Sequence, residues 1–581
     1  MKKFVSPYGA TPRRNFVLFL LGLFACTVLY RIVYLQTSKA DDIIMRANDL
    51  FTRTVTEPAS RGTIVDRNDI PLAVSTQVNS LWVNPHQFEQ MPTEMHKLAS
   101  VLGQSEKKLR KRLRANKYNS KGERINFVYV KRGLAPAKAK QITDSIPGVF
   151  SQSEYRRYYP AGDITAQIVG YNDPDQKGLA GIELLYNDWL SGTAGSSKIV
   201  RSVHGQVFEI LEEIKPPVQG GNLKLTIDQR FQYLTYMALL EMAEKFSPKS
   251  ATAVMLDAKT AEVLAMVSIP SGNPNNPKER RTSLLKNRAI TDAFEPGSVM
   301  KAFAVAAALD AGLVSPYTPI NTHPGYMKAH KNLVKDVHNY GRLNVSTVIK
   351  KSSNVGTCKI ALRMPKIKLQ NMYESLGLGQ KSQIGFPGES AGIMHKITRM
   401  NDFDYCTNAY GYGISVTALQ LAQAFAVIAN DGVKIPATLE KREDALQPEG
   451  VRVMSARTAR QVRKMLKSAV SEGGTGTQAT TGDYMSDYTV GGKTGTVHKA
   501  IKGGYAKKKY RAIFAGMAPL SDPRIVMVVM VDEPKGKKYY GGEVAAPVFA
   551  KVVGKALRIL GVAPDRKDMR KKNRIIETGF N

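Results

Sequence analysis

Cysteine is scarce in this 581-residue chain, with three residues at Cys26, Cys358 and Cys406. So small a number excludes a disulfide framework as the organiser of the fold. Cys26 falls in an apolar stretch, leaving two that could pair only if the fold brings them together; both are expected to be small buried fillers. Histidine is thin as well. Its eight residues include no HExxH or comparable ligand spacing, so neither a metal site nor a cofactor is expected. Acids number 49 against 83 Lys and Arg, a formal net charge of +34 that invites nucleic acid or an anionic envelope surface. Zinc-finger spacing, an aromatic-and-basic RNA signature and a single basic arm are all missing, and nucleic acid is not expected as a partner. There is no internal repeat and no long low-complexity segment. With 43% hydrophobic and 23% charged residues the composition is that of an ordinary globular protein, and the length suits roughly two to four domains.

Long apolar runs are also rare. One stands out, Phe16–Leu35, whose single charge is Arg31 near its far end. About 20 apolar residues span a bilayer core, and Arg31 can snorkel out beside Tyr30 and Tyr34. Lys2, Lys3, Arg13 and Arg14 precede the run without an acid, which points residues 1–15 inward as a cytoplasmic tail. Residues 16–35 are read as a retained transmembrane anchor. The rival is a cleaved signal peptide, faintly suggested by Ser38-Lys39-Ala40.

Beyond the anchor, "RGTIVDRNDIPLAVS" (61–75) reads as strand, turn and strand, with Asn68-Asp69 as the turn. A charge-rich stretch from Thr93 to Lys140 reads as helical, and 150–227 as short strands and turns. Lys215-Pro216-Pro217 and Gly220-Gly221 mark a joint. After it, "FQYLTYMALLEMAEKF" has helical periodicity and "SATAVMLDAKTAEVLAMVSIP" forms two apolar strands around a polar turn. A mainly helical region runs to about 470, strands return at "YTVGGKTGTV", "YRAIFAGMAP" and "RIVMVVMVDEP", and "APVFAKVVGKALRILGV" closes as an amphipathic helix. Two strands before a helical insert and three after it predict an α+β domain with one antiparallel sheet of about five strands, helices covering its faces. The basic tail, 564–581, is expected to be solvated.

Three pieces carry the chemistry. Ser-x-x-Lys occurs three times, at Ser105–Lys108, Ser283–Lys286 and Ser298–Lys301. Only Ser298 follows a Pro-Gly breaker and opens an almost wholly apolar helix, Val299 to Leu309. Residues three apart share a helix face, so hydroxyl and amine can meet. An apolar setting disfavours the ammonium and makes Lys301 a candidate base for a Ser298 nucleophile; the plainer reading is a capping serine and a snorkelling lysine. "KKSSNVGTCKIAL" places Ser352, Ser353 and Asn354 at the start of another helix, where they offer a relay hydroxyl and an orienting amide, or a plain cap. "VGGKTGTVHK" sets Lys493, Thr494, Gly495 and Thr496 on an apolar strand that an extended peptide could join, or at a strand-edge turn.

The ordered triple SxxK, SxN and KTG resembles the signature of penicillin-binding proteins and class A β-lactamases. Together with "RGTIVDR", "RYYPAGD", "GLAGIE", "LTIDQ", "FEPGSVMK", "KSSNVG", "YGYGISVTALQLAQAFAVIANDG" and "YYGGEVAAPVF", it looks like a class B penicillin-binding protein of the division-specific, FtsI type, from the anchor to about residue 560. The resemblance implies a peptidoglycan D,D-transpeptidase acting at the septum. Its catalytic domain would occupy 229–560 behind an elongated, non-catalytic pedestal at 50–220, held in the periplasm by a single pass through the bacterial inner membrane. Ser298 would attack the D-Ala-D-Ala carbonyl of a donor stem peptide, with Lys301 taking its proton. Ser352 and Asn354 would assist proton transfer, and Lys493 would act with Thr494 on the donor carboxylate. Ser353, Gly495 and Thr496 would line the substrate, and the N–H groups of Ser298 and Thr496 would form the oxyanion hole. β-Lactams would acylate Ser298, and a polytopic septal glycosyltransferase with other division proteins would be the partners. The alternatives on this fold are a hydrolytic carboxypeptidase or β-lactamase and a non-catalytic β-lactam-binding scaffold or sensor. Two departures from the family pattern bear on turns: Asn68-Asp69 and Ala261 stand where glycine is usual, and alanine disfavours the positive φ that a glycine turn uses.

Overall fold

The computed structural model describes residues 12–43, 45, 52–201, 207–441, 449–501 and 503–566. Lys2, Lys3 and most of the basic tail therefore lie outside the described residues. Near the N-terminus, Pro12–Thr37 is one 26-residue helix with no buried residue, long and apolar enough to cross a membrane. At 1.5 Å per residue it is about 39 Å long.

The chain divides into two compact units. One comprises residues 1–60, 77–155 and 192–219. Thr52–Glu57 and Val207–Lys215 flank Gly195–Arg201 in an antiparallel three-stranded sheet. A second small sheet pairs the end of Pro71–Val83 with Val128–Leu134 and Val149–Tyr158. Its core gathers Leu81, Val83, Phe88, Leu98, Leu109, Leu113 and Ile142. The stretch read as continuously helical is three helices, Pro92–Val101, Glu106–Ala115 and Pro136–Ser145, with a strand between the last two. In that strand, Val128 and Val130 alternate with more exposed residues, a period of two that the surrounding charges hid.

The other unit comprises 61–76, 156–191 and 220–581. Its sheet has five strands, β1 (Ser250–Asp257), β2 (Val263–Ile269), β3 (Gly491–Ile501), β4 (Gly504–Ala518) and β5 (Ile525–Asp532), in the order β2-β1-β5-β4-β3 and antiparallel throughout. Both faces are buried, as the alternating sets show. Val254, Leu256, Val528 and Met530 point into one core, while Ala253, Met255, Val529 and Val531 point into the other. Helices α1 (Gln229–Phe246) and α7 (Ala546–Ile559) cover the second core. Over the first lie α2 (Lys301–Asp310), α5 (Ala418–Ala429) and α6 (Ala456–Val470). The α5 helix is buried along its whole length and starts at a reciprocal Thr417–Gln420 capping box. Between α2 and α5 lie α3 (Asn354–Ala361) and α4 (Asp402–Ala409).

Cys358 in α3 and Cys406 in α4 are buried, as expected, but they are not separate fillers: they form a disulfide. Nothing in a spacing of 48 residues reveals that pairing. Three of the quoted motifs also converge here. Arg61 and Arg157 each bring an Nε to the Glu183 carboxylate, at 2.5 and 2.6 Å, and all three residues are buried. Both atypical turns form. Asp69 adopts φ 64°, with the Asp66 carboxylate accepting the N–H groups of Asn68 and Ile70. Ala261 takes φ 57° despite its Cβ. The Asp257 carboxylate locks that turn by accepting from Lys259 and Thr260 N–H groups, and a left-handed alanine there costs about 1–2 kcal/mol.

Candidate active site

Ser298 sits on a single 3-10 turn, Gly297–Met300, which runs directly into α2. The turn is pressed against β3. A Cβ on Gly495 would stand 2.7 Å from the Pro296 carbonyl, and one on Gly297, whose φ is 55°, would stand 2.2 Å from Val497 Cγ1. Those two glycines let the serine turn and the strand carrying Lys493 touch. The strand is an edge of the sheet, with β4 as its only partner among the described residues. The Ser298 side chain is partly exposed, and its Oγ makes no hydrogen bond among the described residues.

Lys301 is completely buried. Its Nζ donates to the Ser352 carbonyl at 2.5 Å, to Asn354 Oδ1 at 2.7 Å and to Ser352 Oγ at 3.3 Å. Lys493, equally buried, donates from Nζ to the same Ser352 Oγ at 2.9 Å and to the Thr494 carbonyl at 3.1 Å. One hydroxyl thus bridges two amines. Ser352 reaches that position because it ends the helix Val345–Lys351 in the left-handed conformation, φ 59°.

Among the described residues, no carboxylate is paired directly with either amine. Burial, reinforced by the charge of Lys493 and partly opposed by that of Asp336, holds Lys301 well below the ordinary lysine range. Burial lowers Lys493 to about 7. An amine neutral at working pH can accept a proton, and a second that still carries charge can hold a carboxylate.

Of the expected site residues, Lys301, Ser352, Asn354, Lys493 and Thr494 form this cluster, with Thr494 Oγ1 bonded to Thr475 Oγ1 at 2.7 Å, while Ser298 lies one turn before Lys301 without a hydrogen bond to its amine. Thr496 Oγ1 accepts from Gly541 N–H at 3.0 Å. Gly495 acts by its lack of a side chain. Ser353 departs from expectation: it is buried and caps α3 by accepting the Gly356 N–H, so its hydroxyl faces the protein rather than a ligand.

Asp336 belongs to none of the three sequence motifs. It follows the hairpin Tyr326–Ala329 and Asn332–Lys335. One carboxylate oxygen accepts the N–H groups of Asn354 and Val355, at 2.5 and 3.0 Å, and the other accepts the Ser353 hydroxyl at 2.6 Å. Asn354 Nδ2 is held by the Lys335 carbonyl. The hairpin therefore fixes the start of α3 and the direction of the Asn354 amide. An aspartate paired with a helix start is a recognisable electrostatic signal, but its distance in sequence concealed it. Tyr410 closes the other side, its ring centroid 5.9 Å from Lys301 Nζ. Among the described residues, no His, Cys, Asp and Glu group could hold a metal ion.

Comparison with known proteins gives the family. Residues 251–554 match the penicillin-binding protein transpeptidase domain, and 56–225 match the penicillin-binding protein dimerisation domain. The probable peptidoglycan D,D-transpeptidase PenA of Neisseria gonorrhoeae is 37% identical over 97% of this chain and 95% of its own length. Peptidoglycan D,D-transpeptidase FtsI of Escherichia coli K12 is 35% identical over 94% and 92%. Among solved structures, the transpeptidase domain of penicillin-binding protein 3 from Burkholderia pseudomallei is 44% identical, covering 59% of this chain and 98% of that one with a TM-score of 0.54. By domain order, motif and near full-length identity, the chain belongs to the penicillin-binding protein family, as a class B member of the FtsI and PenA group.

Proposed function

We propose that the chain is a serine peptidoglycan D,D-transpeptidase that cross-links stem peptides during septal wall synthesis, and that β-lactams acylate it. The observation that carries this reading is the single Ser352 hydroxyl held between two buried amines, one helical turn from the partly exposed Ser298 and next to an edge strand. A donor peptide ending in D-Ala-D-Ala pairs with β3 as an added strand. Its terminal carboxylate is held by charged Lys493 and by Thr494. Ser298 Oγ attacks the penultimate carbonyl while its proton passes to neutral Lys301, and the N–H groups of Ser298 and Thr496 receive the developing oxyanion. Ser352 relays the proton toward the departing D-Ala, and Asn354 keeps the Lys301 amine in place. An amine from a second stem peptide then resolves the ester. A β-lactam enters as the donor does and leaves a ring-opened acyl group on Ser298.

Residues 50–220 serve as the pedestal and 229–560 as the catalytic domain. The Pro12–Thr37 helix anchors them in the inner membrane by a single pass, with residues 1–15 inside and the catalytic domain in the periplasm. A septal glycosyltransferase and other division proteins are the partners. Mass spectrometry of the chain after fluorescent-penicillin treatment tests the reading. One adduct on the peptide containing Ser298, absent from Ser298→Ala, is expected to persist for many minutes; an adduct elsewhere, or one lost within seconds, contradicts it.

A further inference from the structure

A cavity of about 740 Å³ adjoins the loop that carries Ser298 and is lined in part by His395, Lys396, Arg399, Asp404, Thr407 and Tyr412. Its wall and the serine loop share a backbone seam. The Gly411 carbonyl accepts the Gly297 N–H at 3.0 Å, and the Gly413 N–H donates to the Glu295 carboxylate at 2.8 Å. Between them, the Tyr412 ring stands edge-on to Tyr410 at 6.0 Å and to Tyr505 at 5.8 Å. Tyr410 is the ring beside Lys301. An aromatic row thus leads from the buried amine to the cavity.

The floor is equally fixed. Asp404 and Thr407 of α4 line the cavity, while Cys406 of the same helix is bonded to Cys358 of α3, the helix that begins at Asn354. The rim carries more basic than acidic groups. Lys396 and Arg399 are exposed and form no ion pair among the described residues, and His395 adds a third nitrogen base. The one carboxylate in the lining, Asp404, accepts from the Asn401 amide at 2.6 Å and forms no ion pair with Lys396 or Arg399. Cationic groups converging on a concave surface, in excess over the acids beside them, raise the local concentration of anions. The volume suits a short peptide.

Peptide transfer needs two peptides, and the donor takes the β3 edge with its carboxylate at Lys493. The second must bring a neutral amine to the Ser298 ester from elsewhere, and a wall peptide acceptor carries carboxylates of its own. We propose that this cavity is the acceptor subsite and takes a carboxylate-bearing peptide amine, held by Lys396 and Arg399 and oriented by Tyr412. The inference rests on the transpeptidase reading. In the step it serves, the acceptor nitrogen attacks the ester carbonyl, the C–N bond forms, the bond from carbonyl carbon to Ser298 Oγ breaks, and the amine proton returns through Lys301 to that oxygen.

The test uses the full chain with a D-alanyl thioester donor and two acceptors, a D-amino acid and its carboxamide. Products divide between aminolysis and hydrolysis of one acyl-enzyme, so the ratio is independent of how much protein is folded. In the variant Lys396→Glu with Arg399→Glu, the ratio is expected to fall about tenfold for the D-amino acid and less than twofold for the carboxamide, as befits two exposed charge contacts. Lys396→Arg with Arg399→Lys should restore it. A ratio that falls equally for both acceptors, or for neither, overturns the acceptor site. A wild-type chain that the donor never acylates removes the transpeptidase reading itself, and is seen before any acceptor is added.

Discussion

The larger of the two compact units buries two clusters of basic side chains and treats them in opposite ways. Arg61 and Arg157 clasp the Glu183 carboxylate, so each buried guanidinium has an acid within 2.6 Å. Lys301 and Lys493 share only a hydroxyl, and neither has a carboxylate in contact among the described residues. A buried charge is tolerable when paired and shifts its protonation when it is not. The first cluster is thus a structural clamp. The second is chemistry held in reserve, with one amine driven toward its neutral form. Burial alone marks neither as functional; the missing acid does.

Breaking the second cluster should have the largest effect. Lys301→Ala removes the base and is expected to slow acylation by fluorescent penicillin about 10³-fold, roughly 4 kcal/mol of barrier, without lowering the melting temperature. A normal acylation rate would show that the amine is a packing group. Breaking the first cluster should do the reverse. Glu183→Ala leaves two buried guanidinium groups unpaired and should destabilise the unit by about 3 kcal/mol in chemical unfolding, while molecules that remain folded acylate normally. A smaller effect is expected for the tie beneath the lysines. Replacing both Cys358 and Cys406 by Ser opens a loop of 48 residues and should lower stability by about 2 kcal/mol, seen in unfolding with and without reductant.

The sequence made the two clusters unequally visible. Ser298, Lys301, Ser352, Asn354 and Lys493 could be read because short spacings place them at helix starts and on an apolar strand, and the five-stranded sheet followed from alternating apolar runs. What escaped depends on long-range closure. Asp336 reaches Ser353 and Asn354 only because a hairpin folds back on α3. Cys358 and Cys406 meet only because α3 and α4 pack together. The Arg61–Glu183–Arg157 clamp joins three motifs that were each legible and whose meeting was not. Local signals misled in two places. Dense lysine and arginine hid the Val128–Leu134 strand among helices, and Ala261 takes a glycine-like φ because the Asp257 carboxylate holds its turn closed.

The pH dependence of acylation tests the unpaired amines most directly. Lys301 must lose its proton and Lys493 must keep its own, so kcat/KM should rise through the depressed Lys301 step and fall above about pH 7 as free Lys493 discharges. Stability should move the other way on that limb. The unfolded lysine keeps its proton to about 10.4, so folding releases protons between about 7 and that value and stability gains with pH there. The account predicts a bell whose alkaline limb lies near 7 in the wild-type chain and shifts upward in Lys493→Arg. A single rise centred near the ordinary lysine value, the same in both chains, would contradict it.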